Sequence, residues 1–254
     1  MTEAGPYRAV FHDSLGSTND EAMALARSGE RGPLFVTAES QTGGRGRQGR
    51  VWSSPPGNLY ASFLLSDPAP LQVLPQLGFV AGVALARALR ALSGGGERLR
   101  LKWPNDILFE GAKLAGILLE STTLSDGRIA CVIGFGVNCD SSPEGLAYPT
   151  SHLAQAAGRP IAPRDVLAEL GPSLQTQLDL WDRGAGFSTI RQAWLAIAAG
   201  LDDIITVTSF SRVVTGRFTG LDETGRLLVE TEGGRVVIDA GDVFLHGATR
   251  DMMT

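Results

Sequence analysis

Between Gln72 and Leu92 the apolar residues Val73, Leu77, Val80, Ala81, Ala84, Leu85, Ala88 and Leu92 recur three or four positions apart. That spacing lays one apolar stripe along a helix, and the SGGG that follows supplies its stop. A second stripe, Leu167, Leu170, Leu174, Leu178 and Trp181, predicts a helix over Arg164 to Trp181, and a third helix fits Ser188 to Ala198. An earlier helix is expected from Asn19 to Ser28. Thr18 and Glu21 have capping-box spacing there, Ser17 stands just before, and Gly29 offers a stop. PLFVTAES, NLYASFLLS and RLRLKW carry the composition and alternation of strands. Pro104 removes a donor and ends the last of these. ILFEGAKLAGILLES reads as a hairpin turning at EGA, and IACVIGFGVNC as a central strand whose glycines let another backbone approach.

After Gly200 the pattern shortens. IITVTS, VVTGRFTGL, RLLVETE, RVVIDA and DVFLH are brief strands separated by DETG and EGG, which are tight-turn sequences. The expectation is an α+β fold in two domains: a mixed sheet packed with helices over residues 1–200, and a small β-barrel over 201–254.

Composition narrows the function classes. The chain has 254 residues, a formal net charge of -5, 43% hydrophobic and 19% charged residues. These are ordinary values for a globular protein, and the acidity argues against a chain devoted to nucleic acid. The start, MTEAGPYRAVFHDSLGSTNDEA, lacks a basic stretch followed by an apolar core, so no secretory leader is expected. No apolar run approaches the roughly 20 residues that cross a bilayer, so no membrane role is assigned and a cytoplasmic location is expected. Cys131 and Cys139 read as packed thiols, not as a disulfide. His12, His152 and His246 are scattered and suggest no zinc site.

The chemistry concentrates in TGGRGRQGRVW, Thr42 to Trp52, where four glycines interleave with Arg45, Arg47 and Arg50. Glycines let a loop bring its amides close to a ligand, and guanidinium groups grip phosphate or carboxylate in pairs of hydrogen bonds. From Ser40 to Ser66 there is no aspartate or glutamate, so the loop carries no local counter-ion. A small anionic ligand, a solvated loop and a nucleic-acid contact all fit this stretch taken alone. The loop is neither a Walker A sequence nor a dinucleotide fingerprint. A second cluster lies in KWPNDILFEGAKLAGILLE. Lys102 ends a strand, and Asn105 and Asp106 follow the proline, where they suit either an Asx turn or a hold on Mg²⁺ or a nucleotide. Lys113 starts the next strand, as a solvated charge or a site residue, and Gly116 permits close approach to the backbone.

Taken in order, GSTNDEA, AESQTGGRGRQGRVWSSPPGNLYAS, LKWPNDI, KLAGILLE and VIGFGVN resemble the biotin protein ligase family from about Ser14 to Asn138, with a weaker likeness through GDVFL. The resemblance implies an α+β catalytic domain followed by an SH3-like barrel. It also implies two half-reactions: biotin and ATP, with Mg²⁺, give biotinyl-5'-AMP, and a lysine of a biotin carrier domain then takes the biotinyl group. Carried over position by position, Ser17, Thr18, Asn19 and Gln41 would line the biotin site, and Gly44 and Arg45 would belong to the loop that folds over it. Arg47 and Lys113 would face the carboxylate and α-phosphate, and Arg50 the outer phosphates. Trp52 would form an aromatic wall. Lys102, Asn105 and Asp106 would sit at the ATP phosphates, with Asp106 nearest the magnesium. Gly116, Ile117, Leu118 and Gly134 would form walls and floor for biotin, and Asn138 would lie on the nucleotide side. GSTNDEA begins at Gly16, which leaves no room for the DNA-binding domain of bifunctional relatives. A ligase that binds no DNA is therefore expected, and a homodimer is left open. Some relatives carry an arginine after the last strand where His246 stands here.

Overall fold

Two sheets organise the chain, and the computed structural model describes residues 2–4, 6–209 and 212–246 of it. The first sheet begins with β1 (Thr2–Ala4) and β2 (Tyr7–Leu15), which form an antiparallel pair. Helix α1 (Thr18–Arg27) then crosses over to β3 (Leu34–Gln41), which runs parallel to β2. Next come β4 (Leu59–Ser66), helix α2 (Gln76–Ser93), β5 (Leu99–Lys102), β6 (Asp106–Phe109), β7 (Ala112–Thr123) and β8 (Ile129–Val137). The eight strands lie in the order β1-β2-β3-β4-β8-β7-β6-β5. The glycine-bearing β8 is therefore interior, as its apolar run predicts. Helices α3 (Leu153–Ala157), α4 (Pro163–Trp181) and α5 (Phe187–Leu195) follow.

Alternation along the strands gives the sheet two covered faces. On one face Ala22 and Ala26 of α1 pack on Leu34, Val36, Leu64, Ala130 and Val132. On the other, α2 and α4 cover Phe35, Phe63, Ile117, Ile133 and Phe135 in the main core. Leu77, Leu85, Leu89, Trp181 and Trp194 are all at most 2% exposed, so the predicted helical stripes face inward. Helix α2 starts at Gln76, four residues later than its periodicity suggests, after a 3-10 turn at Leu71–Val73. Pro75 has no amide with which to close a helical turn back to Leu71. Gly94, at φ 62, ends the helix. The capping box at Thr18 does not form. Ser17 is the residue before the helix, and the Thr18 hydroxyl turns instead to Gln41.

The second sheet contains β9 (Ile204–Thr208), β10 (Val213–Leu221), β11 (Leu227–Thr231), β12 (Gly234–Ile238) and β13 (Asp242–Leu245), in the antiparallel order β12-β11-β10-β9-β13. It is not a closed barrel. Strand β13 does not return along β12 but pairs antiparallel with the free edge of β9. The end of the expected second domain, beyond 246, lies outside the described residues. The inner face of this sheet, Ile205, Val207, Phe218, Leu227 and Val229, merges with the main core. Trp103 Nε1 donates to the Gly225 carbonyl at 3.2 Å across the junction. Among the described residues no helix is long and apolar enough to cross a membrane. Cys131 and Cys139 are buried free thiols, and burial pushes both up to about 12.

Gly225 closes this junction. It has φ 92, and a Cβ there would lie 2.5 Å from the Phe79 ring. Gly225→Ala therefore meets both an unfavourable backbone and a collision in the core. The expected cost is about 2–4 kcal/mol, read as a fall in melting temperature of several degrees in a chain of this size.

Candidate functional site

Strand register builds the floor of a cavity at the α1 face. Asp106, Gly116, Gly136 and Tyr60 are cross-strand partners in one transverse row, and Leu118, Gly134 and Ser62 in the next. The glycines leave bare backbone where side chains would otherwise stand. The Trp52 indole occupies that space, since a Cβ on Gly136 would come within 2.5 Å of it and one on Gly116 within 3.0 Å. Its Nε1 is buried with no acceptor among the described residues. A Cβ on Gly134 would strike Asn19 Oδ1.

One end of the cavity is neutral and polar. Ser17, Thr18 and Asn19 open α1 and are buried. Gln41 Oε1 accepts from the Thr18 amide at 2.8 Å, and Gln41 Nε2 donates to Ser54 Oγ at 2.9 Å. Ser62 Oγ lies 2.5 Å from Asn19 Oδ1, while Asn19 Nδ2 donates to Glu120 Oε2 at 2.6 Å. The amides are thus fixed in orientation by partners behind them. The Ser17 hydroxyl makes no cap bond to its own helix.

The other end is cationic. The hairpin of β6 and β7 shifts register between Ile107 and Leu108, so that Leu108 pairs with Lys113 and one extra residue bulges from β7. The bulge reverses alternation and puts Lys113 on the same face as Asp106 and Gly116. Lys113 Nζ sits 2.7 Å from Asp106 Oδ1, 5.4 Å from the Trp52 ring centre and 5.7 Å from that of Tyr148. From the arginine loop, Arg47 Nη1 reaches Asn105 Oδ1 at 3.4 Å and the Gly241 carbonyl at 3.3 Å, both neutral acceptors. Burial lowers the Arg47 pKa, and the nearby Asp242 and Asp106 carboxylates oppose that shift. Asn105 is itself held, donating from Nδ2 to the Ile117 carbonyl at 2.8 Å. Lys102 lies behind this group, its pKa lowered chiefly by burial.

The arginine loop does have counter-ions, supplied from positions distant in the sequence. Arg45 forms a two-pronged pair with Asp20, both contacts at 2.6 Å, with Glu120 at 3.6 Å. This pairing lowers the Asp20 pKa and raises that of Arg45. Arg50 Nη2 contacts both oxygens of Asp242 at 2.8 and 2.9 Å. Arg47 alone of the three makes no ion pair among the described residues.

Ser17, Thr18, Asn19, Gln41, Arg45, Arg47, Arg50, Trp52, Asn105, Asp106, Lys113, Gly116, Ile117, Leu118 and Gly134 all border this cavity, whereas Gly44, Lys102 and Asn138 do not. Gly44 is a support: a Cβ there would lie 2.6 Å from Trp52 O and Ser54 Oγ. Asn138 is buried and spends its amide on the Ser151 carbonyl at 3.0 Å. That bond holds the 138–151 loop which brings Tyr148 to the site. Tyr60, Tyr148 and Asp242 border the cavity without having been expected there. The C-terminal sheet reaches it through Gly241 and Asp242. His246 instead contacts Thr206 Oγ1 at 2.8 Å.

The model of the biotin/lipoate A/B protein ligase family matches residues 14–138, and that of the biotin protein ligase C-terminal domain matches residues 197–246. A biotin–[acetyl-CoA-carboxylase] ligase of Paracoccus denitrificans is 39% identical over 239 residues, covering 91% of this chain and 98% of that one. The chain belongs to the biotin/lipoate protein ligase family. The bifunctional ligase/repressor BirA of Bacillus subtilis is 32% identical over 96% of this chain and 76% of its own length. Among solved structures, the Aquifex aeolicus biotin protein ligase in complex with biotin and ATP superposes with a TM-score of 0.80 at 28% identity, covering 94% of this chain and 98% of that one. In this member of the ligase family, every residue bordering the cavity except Tyr148 falls within the two matched segments.

The Asp20–Arg45 pair fastens the loop to the start of α1. Asp20→Ala should loosen the loop without disturbing the core. Its arginines are themselves trypsin sites, so cleavage within residues 45–50 of the native variant is expected to accelerate several-fold. An unchanged cleavage rate would count against this fastening.

Proposed function

We propose that this chain is a biotin protein ligase that makes biotinyl-5'-AMP from biotin and ATP and passes the biotinyl group to a lysine of a biotin carrier domain, such as that of an acetyl-CoA carboxylase. One observation carries the reading. Arg47 and Lys113, from separate segments, border a single cavity whose far end is a neutral hydroxyl and amide wall. A ligand that fits must be polar at one end, apolar in the middle and anionic at the other. Biotin's ureido ring, alkyl chain and carboxylate have that order. The dithiolane ring of lipoate would leave Ser17, Thr18, Asn19 and Gln41 facing an apolar group, which a polar pocket disfavours.

In the first half-reaction a carboxylate oxygen of biotin bonds to the α-phosphorus of ATP, and the bond from that phosphorus to the β-phosphate bridging oxygen breaks. Pyrophosphate leaves with the electron pair. Two anions must approach for this to happen, and negative charge gathers on the α-phosphate oxygens. Arg47 and Lys113 screen the repulsion and stabilise that charge in a partly dry site, where fixed cations act more strongly than in water. Holding the carboxylate and phosphorus at attack distance supplies a further large share of the acceleration. Arg50 takes the outer phosphates. In the second half-reaction a neutral lysine amine of the carrier bonds to the acyl carbon, the carbon–oxygen bond to AMP breaks, and the amine loses a proton. The arginine loop, fastened at both ends, keeps water from the anhydride between the two steps.

The donor set fits magnesium as a companion of the phosphates. Asp106 and Asn105 offer hard oxygens, and among the described residues no cluster of three His, Cys, Asp or Glu forms a resident site. Bound there, Mg²⁺ would neutralise phosphate charge.

Incubation with ATP, either acid and isolated carrier domains, read by mass spectrometry, tests the assignment. Biotinyl-lysine is the expected product, and lipoyl transfer without biotinyl transfer would reject it. Lys113→Ala should slow pyrophosphate release about 10²- to 10³-fold while circular dichroism stays native. Release at the normal rate in that variant would remove the role given to Lys113.

A further inference from the structure

Asp242 lies on β13, more than a hundred residues from the arginine loop in sequence, yet it borders the same cavity. Both of its oxygens contact Arg50 Nη2, at 2.8 and 2.9 Å. Its neighbour Gly241 accepts from Arg47 Nη1 at 3.3 Å. We infer that Asp242 is an internal placeholder for the nucleotide's polyphosphate: it occupies Arg50 while the site is empty, must swing aside when the phosphates arrive, and so sets nucleotide affinity. The inference rests on the assignment of Arg50 to the outer phosphates.

Three features carry it. The contact has the chemistry of the expected ligand, carboxylate oxygens standing where phosphate oxygens would bind guanidinium. The Asp242 charge also acts on the half-buried Arg47 and Lys102, so it faces the whole cationic end and not one arginine alone. Finally, the pair can open. The Asp242 side chain is 37% exposed and that of Arg50 54%, so either can rotate into water without crossing the core. Lys113 has its own partner in Asp106, and Arg45 its own in Asp20. Among the loop's pairs, Arg50–Asp242 is the one that joins the loop to the C-terminal sheet. A bound polyphosphate and an ionised Asp242 would compete for the same nitrogen and repel each other. Removing the aspartate charge should therefore strengthen phosphate binding, the opposite of what loss of a supporting contact would do.

The test uses calorimetry on the full chain with two probes, α,β-methylene-ATP and inorganic tripolyphosphate, for the native protein, Asp242→Asn and Asp242→Glu. Asp242→Asn is expected to bind both probes about 1.5- to fivefold more tightly, the range set by loss of one exposed ion pair. Asp242→Glu keeps the charge and should bind them as the native protein does. Biotin affinity should be unchanged in both variants, which separates this effect from general damage to the fold, since damage would weaken all ligands together. Equal or weaker tripolyphosphate binding by Asp242→Asn overturns the inference. Tighter tripolyphosphate binding with no nucleotide binding by any of the three proteins would uphold the placeholder and reject the ligase reading.

Discussion

Cations crowded into a partly dry cavity repel one another and lose hydration, and this constraint shapes the site more than any other. Arg47, Arg50, Lys102 and Lys113 gather around the carboxylates of Asp106 and Asp242, so the cluster keeps a positive excess in a chain whose net charge is -5. Burial, with the neighbouring cations adding to it, lowers the pKa of both Arg47 and Lys102. Such an arrangement persists only if the fold holds it rigidly and if something it binds returns the lost favourable energy. Two anions that must be brought together against their own repulsion meet that requirement. Under the proposed function, the same excess charge that is unfavourable without a ligand would lower the barrier when a carboxylate meets a phosphate.

Rigidity comes from backbone devices. The bulge in β7 turns Lys113 toward the cavity, and its backbone is clamped to the 149–151 loop by the bonds Lys113 N to Pro149 O and Ser151 N to Lys113 O, at 2.8 and 2.9 Å. Asn105 is pinned to Ile117 and so presents its oxygen to Arg47. Gly116, Gly134 and Gly136 remove side chains where Trp52 and Asn19 must lie. Each device fixes a polar group before any ligand arrives. Transition-state stabilisation depends on that preorganisation, because reorienting dipoles during reaction would consume the gain.

Much of this was legible in the amino-acid sequence, for reasons that can be named. Helical periodicity in α2 and α4 is long and strong, and both helices form with the expected faces buried. The arginine loop was legible as a cationic, glycine-rich loop because guanidinium and glycine have few substitutes, whereas Lys113 and Gly134 were placed at the cavity only by the resemblance to the ligase family. Other features depend on tertiary placement. Strand β2 escaped notice because His12 and Asp13 interrupt its apolar alternation. The absence of acids between Ser40 and Ser66 suggested a loop without counter-ions, yet Asp20, Glu120 and Asp242 arrive from elsewhere in the chain. Tyr148 sits in a loop of no regular pattern, held at the site by the Asn138–Ser151 bond and by the backbone bonds to Lys113. Asn138, expected on the nucleotide side, does not border the cavity and helps hold the Tyr148 loop through Ser151.

The open form of the C-terminal sheet bears on the chemistry. Had the short strands closed into a barrel, β13 would be paired along both edges and its start drawn toward β12. In the observed order β13 is the edge strand, paired only with β9, and Asp242 is its first residue. An edge strand can present its first side chain and the carbonyl before it to a neighbour without breaking a ladder. Meanwhile Trp103, Gly225 and Phe79 lock the opposite side of the sheet to the main core, so the edge that faces the arginines is held in a fixed place. The sheet is therefore positioned as part of the cavity's charge balance, with its anionic edge against the cationic end.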